Sequence, residues 1–153
     1  MKKREVLGIL FLLLLDQGSK FFVENYVRNF TVIPNFFEIH LTYNTGAAWS
    51  LLSNQVLFLS ILSILALIVL TVLKQGMKES KLKVMSFPLI YAGILGNLGD
   101  RMIFHHVKDF LKFNIFGYEY PVFNLADIFI VVGGILLTIL FWKEGEGHEK
   151  LDC

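Results

Sequence analysis

The chain has little charge and only one cysteine. Charged residues make up 18% of its 153 residues and the net charge is +1. With no basic stripe interleaved with aromatics, we expect no nucleic-acid partner. The single cysteine, Cys153, cannot form an internal disulfide, which excludes a disulfide framework. No HExxH motif or comparable ligand spacing is present, and we therefore expect no metal site.

Apolar residues are abundant instead. They make up 55% of the chain, and the mean hydropathy of +0.61 is too high for an ordinary soluble domain. A bilayer core of about 30 Å needs about 20 apolar residues per helical crossing. Four crossings use nearly the whole chain, so we predict an all-α membrane protein, a four-helix transmembrane bundle forming the single domain 1–153. The predicted spans are 6–23, 55–73, 84–103 and 125–142, with outer loops at 24–54 and 104–124.

The first span follows a basic segment, as a signal peptide would. No small-x-small cleavage site follows it, and Asp16, Gln17 and Lys20 interrupt the apolar run. We therefore expect this segment to be a retained helix.

Lysine and arginine residues near the spans predict the orientation. Nine flank one side and three flank the other. By the positive-inside rule, both termini are cytoplasmic and the two longer loops lie outside. The inner group is Lys2, Lys3, Arg4, Lys74, Lys78, Lys81, Lys83, Lys143 and Lys150, and the outer group is Arg28, Lys108 and Lys112.

Three carboxylates fall in the outer half of the predicted membrane. Counted from the nearest inner Lys or Arg at about 1.5 Å per residue, Asp16 lies at about 18 Å, Asp100 at about 25 Å and Asp127 at about 24 Å. A charge in a span costs at least about 2.5 kcal/mol and usually marks function. We therefore expect a functional site near the outer face.

Structural roles are open for several of these residues. Asp16 and Lys20 are four apart and can pair on one helix face. Asp127 stands at a helix start, where a carboxylate can cap free N–H groups. In the third span, small residues recur at spacing three, which favours close helix packing. These residues are Gly93, Gly96 and Gly99.

The outer loops carry further signals. Residues 37–43 alternate apolar and polar, which predicts a half-buried strand, and residues 30–33 can pair with it across Pro34-Asn35. We predict a small extracytoplasmic β-sheet there, followed by an interfacial aromatic, Trp49. The second loop is rich in aromatics and is expected to dip back onto the membrane, bringing Asp109 toward Asp127.

Two carboxylates held close tend to share one proton, and one can then activate water while the other hydrogen-bonds a substrate carbonyl. Asp109 and Asp127 are the best candidates. Ser19 and Lys20 are adjacent and face different sides of a helix, which disfavours a Ser–Lys hydrolase. Two other classes of function stay open: a proton-coupled carrier, disfavoured because the inner halves of the spans hold no acid, and a non-enzymatic assembly factor.

Five motifs in this order resemble those of the bacterial lipoprotein signal peptidase family, the type II signal peptidases. They are Asp16-Gln17-x-x-Lys20, Asn44-x-Gly46-Ala47-Ala48-Trp49, Gly96-Asn97-x-x-Asp100-Arg101, Val107-x-Asp109-Phe110 and Phe123-Asn124-x-Ala126-Asp127. The resemblance implies an aspartic endopeptidase of the bacterial cytoplasmic membrane. It would remove signal peptides from prolipoproteins, just before a diacylglyceryl-modified cysteine, with no metal or organic cofactor. Membrane lipid and prolipoproteins are its expected partners, and four spans suffice for a monomer.

The resemblance also implies roles for single residues. Asp109 and Asp127 match the catalytic pair, and Asn44 and Arg101 match positions that contact the substrate backbone. Polar positions that support the site are matched by Asp16, Lys20, Asn97, Asp100 and Asn124. Lys108 departs from the pattern, since the family usually has an apolar residue there. We expect its cation to lower the pKa values of the pair or to alter contact with lipid headgroups.

Overall fold

Four long apolar helices dominate the structure. The computed structural model describes residues 2–47 and 51–149, with side chains as far as residue 144; Trp49 and Cys153 lie outside the described residues. The helices are α1 (Lys3–Phe22, continued by a π-helical segment, Val23–Val27), α2 (Val56–Gly76), α3 (Lys81–Phe104) and α4 (Leu125–Glu149). Each contains a stretch long and apolar enough to cross a membrane, which confirms the predicted architecture.

Helix α3 lies at the centre of the bundle and packs against the other three helices. Its side chains Phe87, Ile90 and Tyr91 form a buried apolar core with Ile9 and Leu140. The outward faces of the other helices are also apolar and exposed, as lipid contact requires. Because lipid tails are as apolar as the core, helix association in a membrane depends on close packing and on polar contacts.

Close packing occurs at two of the three predicted glycines. A Cβ atom on Gly93 would lie 2.4 Å from the backbone oxygen of Ala126, and one on Gly96 would lie 2.6 Å from Asp16 Oδ2. A Cβ atom on Gly99 would meet nothing within 4 Å, so the prediction was wrong for this residue. Gly93 thus brings α4 against α3 at the turn that carries Asp127.

These glycines provide a matched pair of variants. We expect Gly93→Ala to lower the stability of the bundle by about 1–3 kcal/mol, because the methyl group would displace the α4 backbone. Gly99→Ala makes the same change in open space and should be neutral or slightly stabilising, since Ala favours helix over Gly. Thermal unfolding in detergent measures both, and equal midpoints for the two variants would contradict the packing role.

The end of the bundle at which α1 begins holds an acid that the sequence interpretation placed outside the spans. Helix α1 starts at Lys3 and so includes Glu5, which is buried and lies 2.9 Å from Lys74 Nζ on α2. The expectation of inner helix halves free of acid was therefore wrong. Glu5 was missed because the apolar run begins only at Val6, whereas the helix begins three residues earlier.

A four-stranded antiparallel sheet covers the other end of the bundle. Its strands are β1 (Asn29–Ile33), β2 (Phe37–Asn44), β3 (Val107–Ile115) and β4 (Tyr118–Glu119), in the order β1-β2-β3-β4. The predicted hairpin of β1 and β2 is confirmed. The second outer region is not the loop that we predicted: it adds two strands to the sheet.

Strand β3 escaped prediction because its first half is buried on both faces. Residues 107–110 are all buried, whereas residues 111–115 are partly exposed. Strand prediction relies on alternation between a buried face and a solvated face, and a segment buried on both faces shows none. The consequence for the site is that Asp109 lies on a paired strand and is held by backbone hydrogen bonds.

Candidate active site

Asp109 and Asp127 lie at the sheet end of the bundle and are bridged by one asparagine. Asp109, on β3, is 3% exposed, and Asp127, in the first turn of α4, is half-buried. Asn124 Nδ2 donates to Asp109 Oδ1 at 2.7 Å, and the Asn124 backbone N–H donates to Asp127 Oδ2 at 3.1 Å. The two carboxylates are therefore held on either side of a single residue.

The position of Asp127 is fixed by reciprocal capping at the start of α4. Its carboxylate accepts from the Asn124 N–H, and its own N–H donates to Asn124 Oδ1 at 3.0 Å. This is the arrangement of a capping box. Asp127 Oδ1 also accepts from Asn97 Nδ2 at 2.8 Å. The predicted capping role is thus present, and it orients the carboxylate without withdrawing it from the site.

The position of Asp109 is fixed by the pairing of β2 with β3. Asn44, at the end of β2, donates from Nδ2 to Asp109 Oδ2 at 2.9 Å. Asn44 Oδ1 accepts from the Gly46 N–H at 2.8 Å, which orients the amide group. With the bond from Asn124, each oxygen of Asp109 receives one amide N–H.

Burial, together with the neighbouring charge of Asp127, raises the pKa of Asp109 to about 7. The hydrogen bonds from Asn44 and Asn124 and the charge of Lys20 act in the opposite direction. Loss of hydration outweighs these contacts because an ionised carboxylate is costly to bury. Near neutral pH Asp109 can therefore hold or release a proton, as acid–base catalysis requires.

A buried lysine lies beneath the pair. Lys20 Nζ is 2.8 Å from Asp16 Oδ2, 2.9 Å from Asp100 Oδ2 and 3.1 Å from Asn97 Oδ1. The predicted pairing of Asp16 with Lys20 is confirmed, and Asp100 is a second partner. Asp16 Oδ1 also accepts from the Ala126 N–H at 3.0 Å, which joins α1 to the start of α4.

Asn97 connects this charged layer to the carboxylate pair. Its Oδ1 accepts from Lys20 Nζ and from Asn124 Nδ2, and its Nδ2 donates to Asp127 Oδ1. All of these groups come from different turns of α1, α3 and α4. A shift of any of the three helices would therefore move Asp127.

Arg101 approaches from the last turn of α3. Its Nη2 donates to the Gly46 carbonyl oxygen at 2.9 Å. Its Nε is buried and has no hydrogen-bond partner among the described residues. An unpaired buried donor is costly, so this N–H is suited to donate to an acceptor atom of a bound molecule.

A cleft of about 380 Å³ opens at the pair. Its polar lining consists of Asn44, Asn97, Arg101, Asp109 and Asp127. The rest is largely apolar: Ala47, Val107, Tyr120, Pro121, Val122, Phe123, Ile130 and Val131. A second, more polar cleft of about 420 Å³ adjoins it and shares Asn44 and Asp109. A polar centre with apolar walls fits a ligand that has both polar and apolar parts.

The structure brings all nine predicted site residues together in this network or along the cleft. The sequence interpretation gave no role to Gln17, which donates from Nε2 to Asp16 Oδ2 and to Asp100 Oδ1, both at 3.1 Å. The signal was available, because Gln17 is a polar residue beside Asp16 in an apolar run. The carbonyl of Gly46 was also missed, since backbone acceptors leave no trace in sequence.

The Lys108 side chain is not directed at the pair, and Lys108 is not among the causes of the raised pKa of Asp109; contact with lipid headgroups stays a prediction. Neighbouring residues of a strand point to opposite faces, so Lys108 points away from the cleft that Asp109 lines. Its Nζ is 2.6 Å from Glu24 Oε2 at the end of α1.

Among the described residues, no three His, Cys, Asp or Glu side chains are grouped to hold a metal ion.

The fold and site define a polytopic membrane protein whose paired carboxylates, at the mouth of an apolar cleft, can perform acid–base hydrolysis. The family model described as signal peptidase (SPase) II matches residues 8–143. The chain therefore belongs to the signal peptidase II family and is a protease of lipoprotein processing.

Individual relatives agree with this assignment. The lipoprotein signal peptidases of Staphylococcus aureus strains JH9 and Newman are each 36% identical over 150 residues, covering 95% of this chain and 91% of theirs. A solved structure of a bacterial membrane enzyme matches with a TM-score of 0.82 at 35% identity, covering 94% of this chain and 90% of that one. A second such structure has a TM-score of 0.77 at 36% identity, with coverages of 88% and 90%.

Proposed function

We propose that Asp109 and Asp127 are the catalytic pair with which this protease cuts the signal peptide from diacylglyceryl-modified prolipoproteins, just before the lipidated cysteine. The single observation that carries the proposal is the asparagine bridge: Asn124 holds both carboxylates at the mouth of the cleft. In this proposal the chain is a single-domain monomer in the bacterial cytoplasmic membrane. Both termini are cytoplasmic, and the site opens toward the outer face and membrane lipid.

Chemistry follows from one proton shared by two carboxylates. The ionised member removes a proton from water, and the water oxygen attacks the carbonyl carbon of the scissile peptide. The protonated member hydrogen-bonds the carbonyl oxygen, which takes up the electron pair of the C=O bond. When the C–N bond breaks, the nitrogen takes a proton from the pair, and the lipidated cysteine leaves with a free amino group.

Arg101 and Asn44 are proposed to hold the substrate backbone. The free Nε of Arg101 is suited to a peptide carbonyl oxygen beside the scissile bond. Asn44 lies next to Asp109 and lines both clefts. The supporting residues Asp16, Lys20, Asn97, Asp100 and Asn124 keep the pair in place and make the start of α4 rigid.

The apolar walls of the cleft are proposed to take the diacylglyceryl group. Ile130 and Val131 extend the lining along α4, in the direction of the bilayer core. A lipid-modified substrate stays in the membrane, and a catalytic pair at the end of the spans can reach its scissile bond. Because the acyl chains are already in lipid, the apolar walls hold them through close packing and not through removal from water.

The test is a cleavage assay with the full-length protein in detergent or liposomes. One prolipoprotein is supplied with its cysteine diacylglyceryl-modified, and the same polypeptide is supplied unmodified. We expect cleavage of the modified form, with the new N-terminus at the lipidated cysteine by mass spectrometry, and no cleavage of the unmodified form. Equal cleavage of both forms would contradict recognition of the lipid, and cleavage of neither would contradict the proposed function.

A further inference from the structure

Glu24 joins two neighbouring strands to the end of the first helix. Its Oε2 lies 2.6 Å from Lys108 Nζ, and its Oε1 accepts from the Tyr43 hydroxyl at 3.1 Å. Tyr43 on β2 and Lys108 on β3 are direct cross-strand partners. One carboxylate in the π-helical segment Val23–Val27 therefore ties both strands to α1.

Each strand residue that Glu24 holds is next to a residue of the cleft. Tyr43 precedes Asn44, and Lys108 precedes Asp109. Because side chains alternate along a strand, Tyr43 and Lys108 share the face away from the cleft of about 380 Å³, while their neighbours share the other face. Tyr43 also borders the second cleft. On that other face Asn44 and Asp109 are hydrogen-bonded at 2.9 Å. The sheet is thus held on both faces at neighbouring positions. Glu24 holds one face, and the hydrogen bond between Asn44 and Asp109 holds the other.

The lysine end of the contact is shielded from water, whereas the Glu24 side chain is 25% exposed. The Lys108 side chain is 9% exposed, and its Nζ lies 4.1 Å from the ring centroid of Phe104. His106 packs edge-on against Tyr43, with ring centroids 4.6 Å apart. The positive charge of Lys108 is therefore neutralised on the back of the sheet, and the charged side chains facing Asp109 are Asp127, Lys20 and Arg101.

We propose that Glu24 is a positioning residue for cleavage: with Tyr43 and Lys108 it forms a back-face clamp that holds Asp109 and Asn44 at the correct distance from Asp127. The inference rests on the proposed function of the carboxylate pair. Asp127 is fixed on α4, whereas Asp109 belongs to the sheet, so their separation depends on how the sheet is attached to the helices. The clamp attaches the sheet to the end of α1 at Tyr43 and Lys108, the residues directly before Asn44 and Asp109.

The test separates catalysis from substrate binding. We expect Glu24→Gln and Lys108→Met each to lower kcat by roughly ten- to a hundredfold, because small displacements of a reacting group have effects of this size. KM should stay near the wild-type value, because Glu24 and Lys108 line neither cleft. Lys108→Arg keeps the charge and should restore most of kcat. A raised KM with unchanged kcat would overturn the proposal.

Coupling between the two partners gives a second readout. Glu24→Gln leaves the buried charge of Lys108 unpaired, and Lys108→Met leaves the half-buried charge of Glu24 unpaired, whereas the double variant Glu24→Gln/Lys108→Met leaves neither. We expect the loss of kcat in the double variant to be smaller than the two single losses combined. Strictly additive losses would contradict a direct pair. Should Lys108→Met not fold, Tyr43→Phe removes only the hydroxyl contact, and a wild-type kcat in that variant would count against the clamp.

A matched control exists at the other end of the bundle. Glu79 also lies 2.6 Å from a lysine, Lys2, and it is far from the cleft. Glu79→Gln should leave kcat unchanged, and a loss equal to that of Glu24→Gln would overturn the positioning role. Wild-type protein that fails to cut the lipidated substrate would contradict the proposed function itself. Cleavage by the wild type and equally by Glu24→Gln would refute only the clamp.

Discussion

Replacing Asp109 or Asp127 by Asn is expected to lower kcat by roughly a thousandfold or more, since acid–base catalysis by a positioned group contributes about 10²–10⁴-fold. Asn has nearly the same shape but cannot carry the shared proton or accept one from water. The fold should survive, because each substitution removes a like charge from a buried pair. Cleavage of the lipidated substrate and thermal unfolding in detergent measure the two effects.

The control makes the same carboxylate-to-amide change on the same sheet. Glu38 on β2 has a side chain that is 40% exposed, and its ion pair with Lys112 is long, at 3.9 Å, so Glu38→Gln should keep wild-type activity. Near-normal turnover by Asp109→Asn or Asp127→Asn would refute the catalytic pair.

The wild type should lose activity as the pH rises through about 7, because the pair then loses the proton that Asp109 holds below its raised pKa. The pH profile of kcat for the lipidated substrate measures this loss.

Hydropathy and charge depth could predict the frame of the molecule. Runs of about 20 apolar residues indicate helical spans whatever their partners are, because lipid imposes the same demand on each. Depth counting also placed Asp16, Asp100 and Asp127 in one half of the bundle, where they do converge. Hydropathy could not fix the helix starts, as Glu5 shows, because an ion pair with Lys74 lets an acid lie inside a helix.

The cleft side of the site was harder to predict. Asp109 lies outside every apolar span, and only the motifs and the aromatic surroundings indicated its role. Its strand shows no alternation because both faces are buried at residues 107–110. Lys108 was misinterpreted for a related reason: sequence adjacency to Asp109 suggested an electrostatic influence, whereas strand geometry directs it to Glu24 on the opposite face. When a strand is not recognised in the sequence, neither the face to which a side chain points nor the residue it contacts can be deduced.

Lys20→Met is expected to have the largest effect on stability. The Lys20 side chain is 1% exposed and is the ion-pair partner of both Asp16 and Asp100, each fully buried. Met fills the space but leaves two carboxylates without their cation, and breaking a buried pair in this way costs about 3–5 kcal/mol. Thermal unfolding in detergent should show a large fall in the midpoint, with loss of activity because Asn97 also loses its donor.

Two further variants separate charge from packing. In the triple variant Asp16→Asn/Lys20→Met/Asp100→Asn no buried charge stays unpaired, so it should recover a substantial part of the stability that Lys20→Met loses. Lys112→Met removes a lysine whose side chain is 25% exposed and whose ion pairs are screened by water, and it should cost about 0–1 kcal/mol. If Lys20→Met and Lys112→Met unfold at the same temperature, the buried cation does not hold α1 to α3. Asp127 would then depend on capping by Asn124 and on the hydrogen bond from Asn97 for its position.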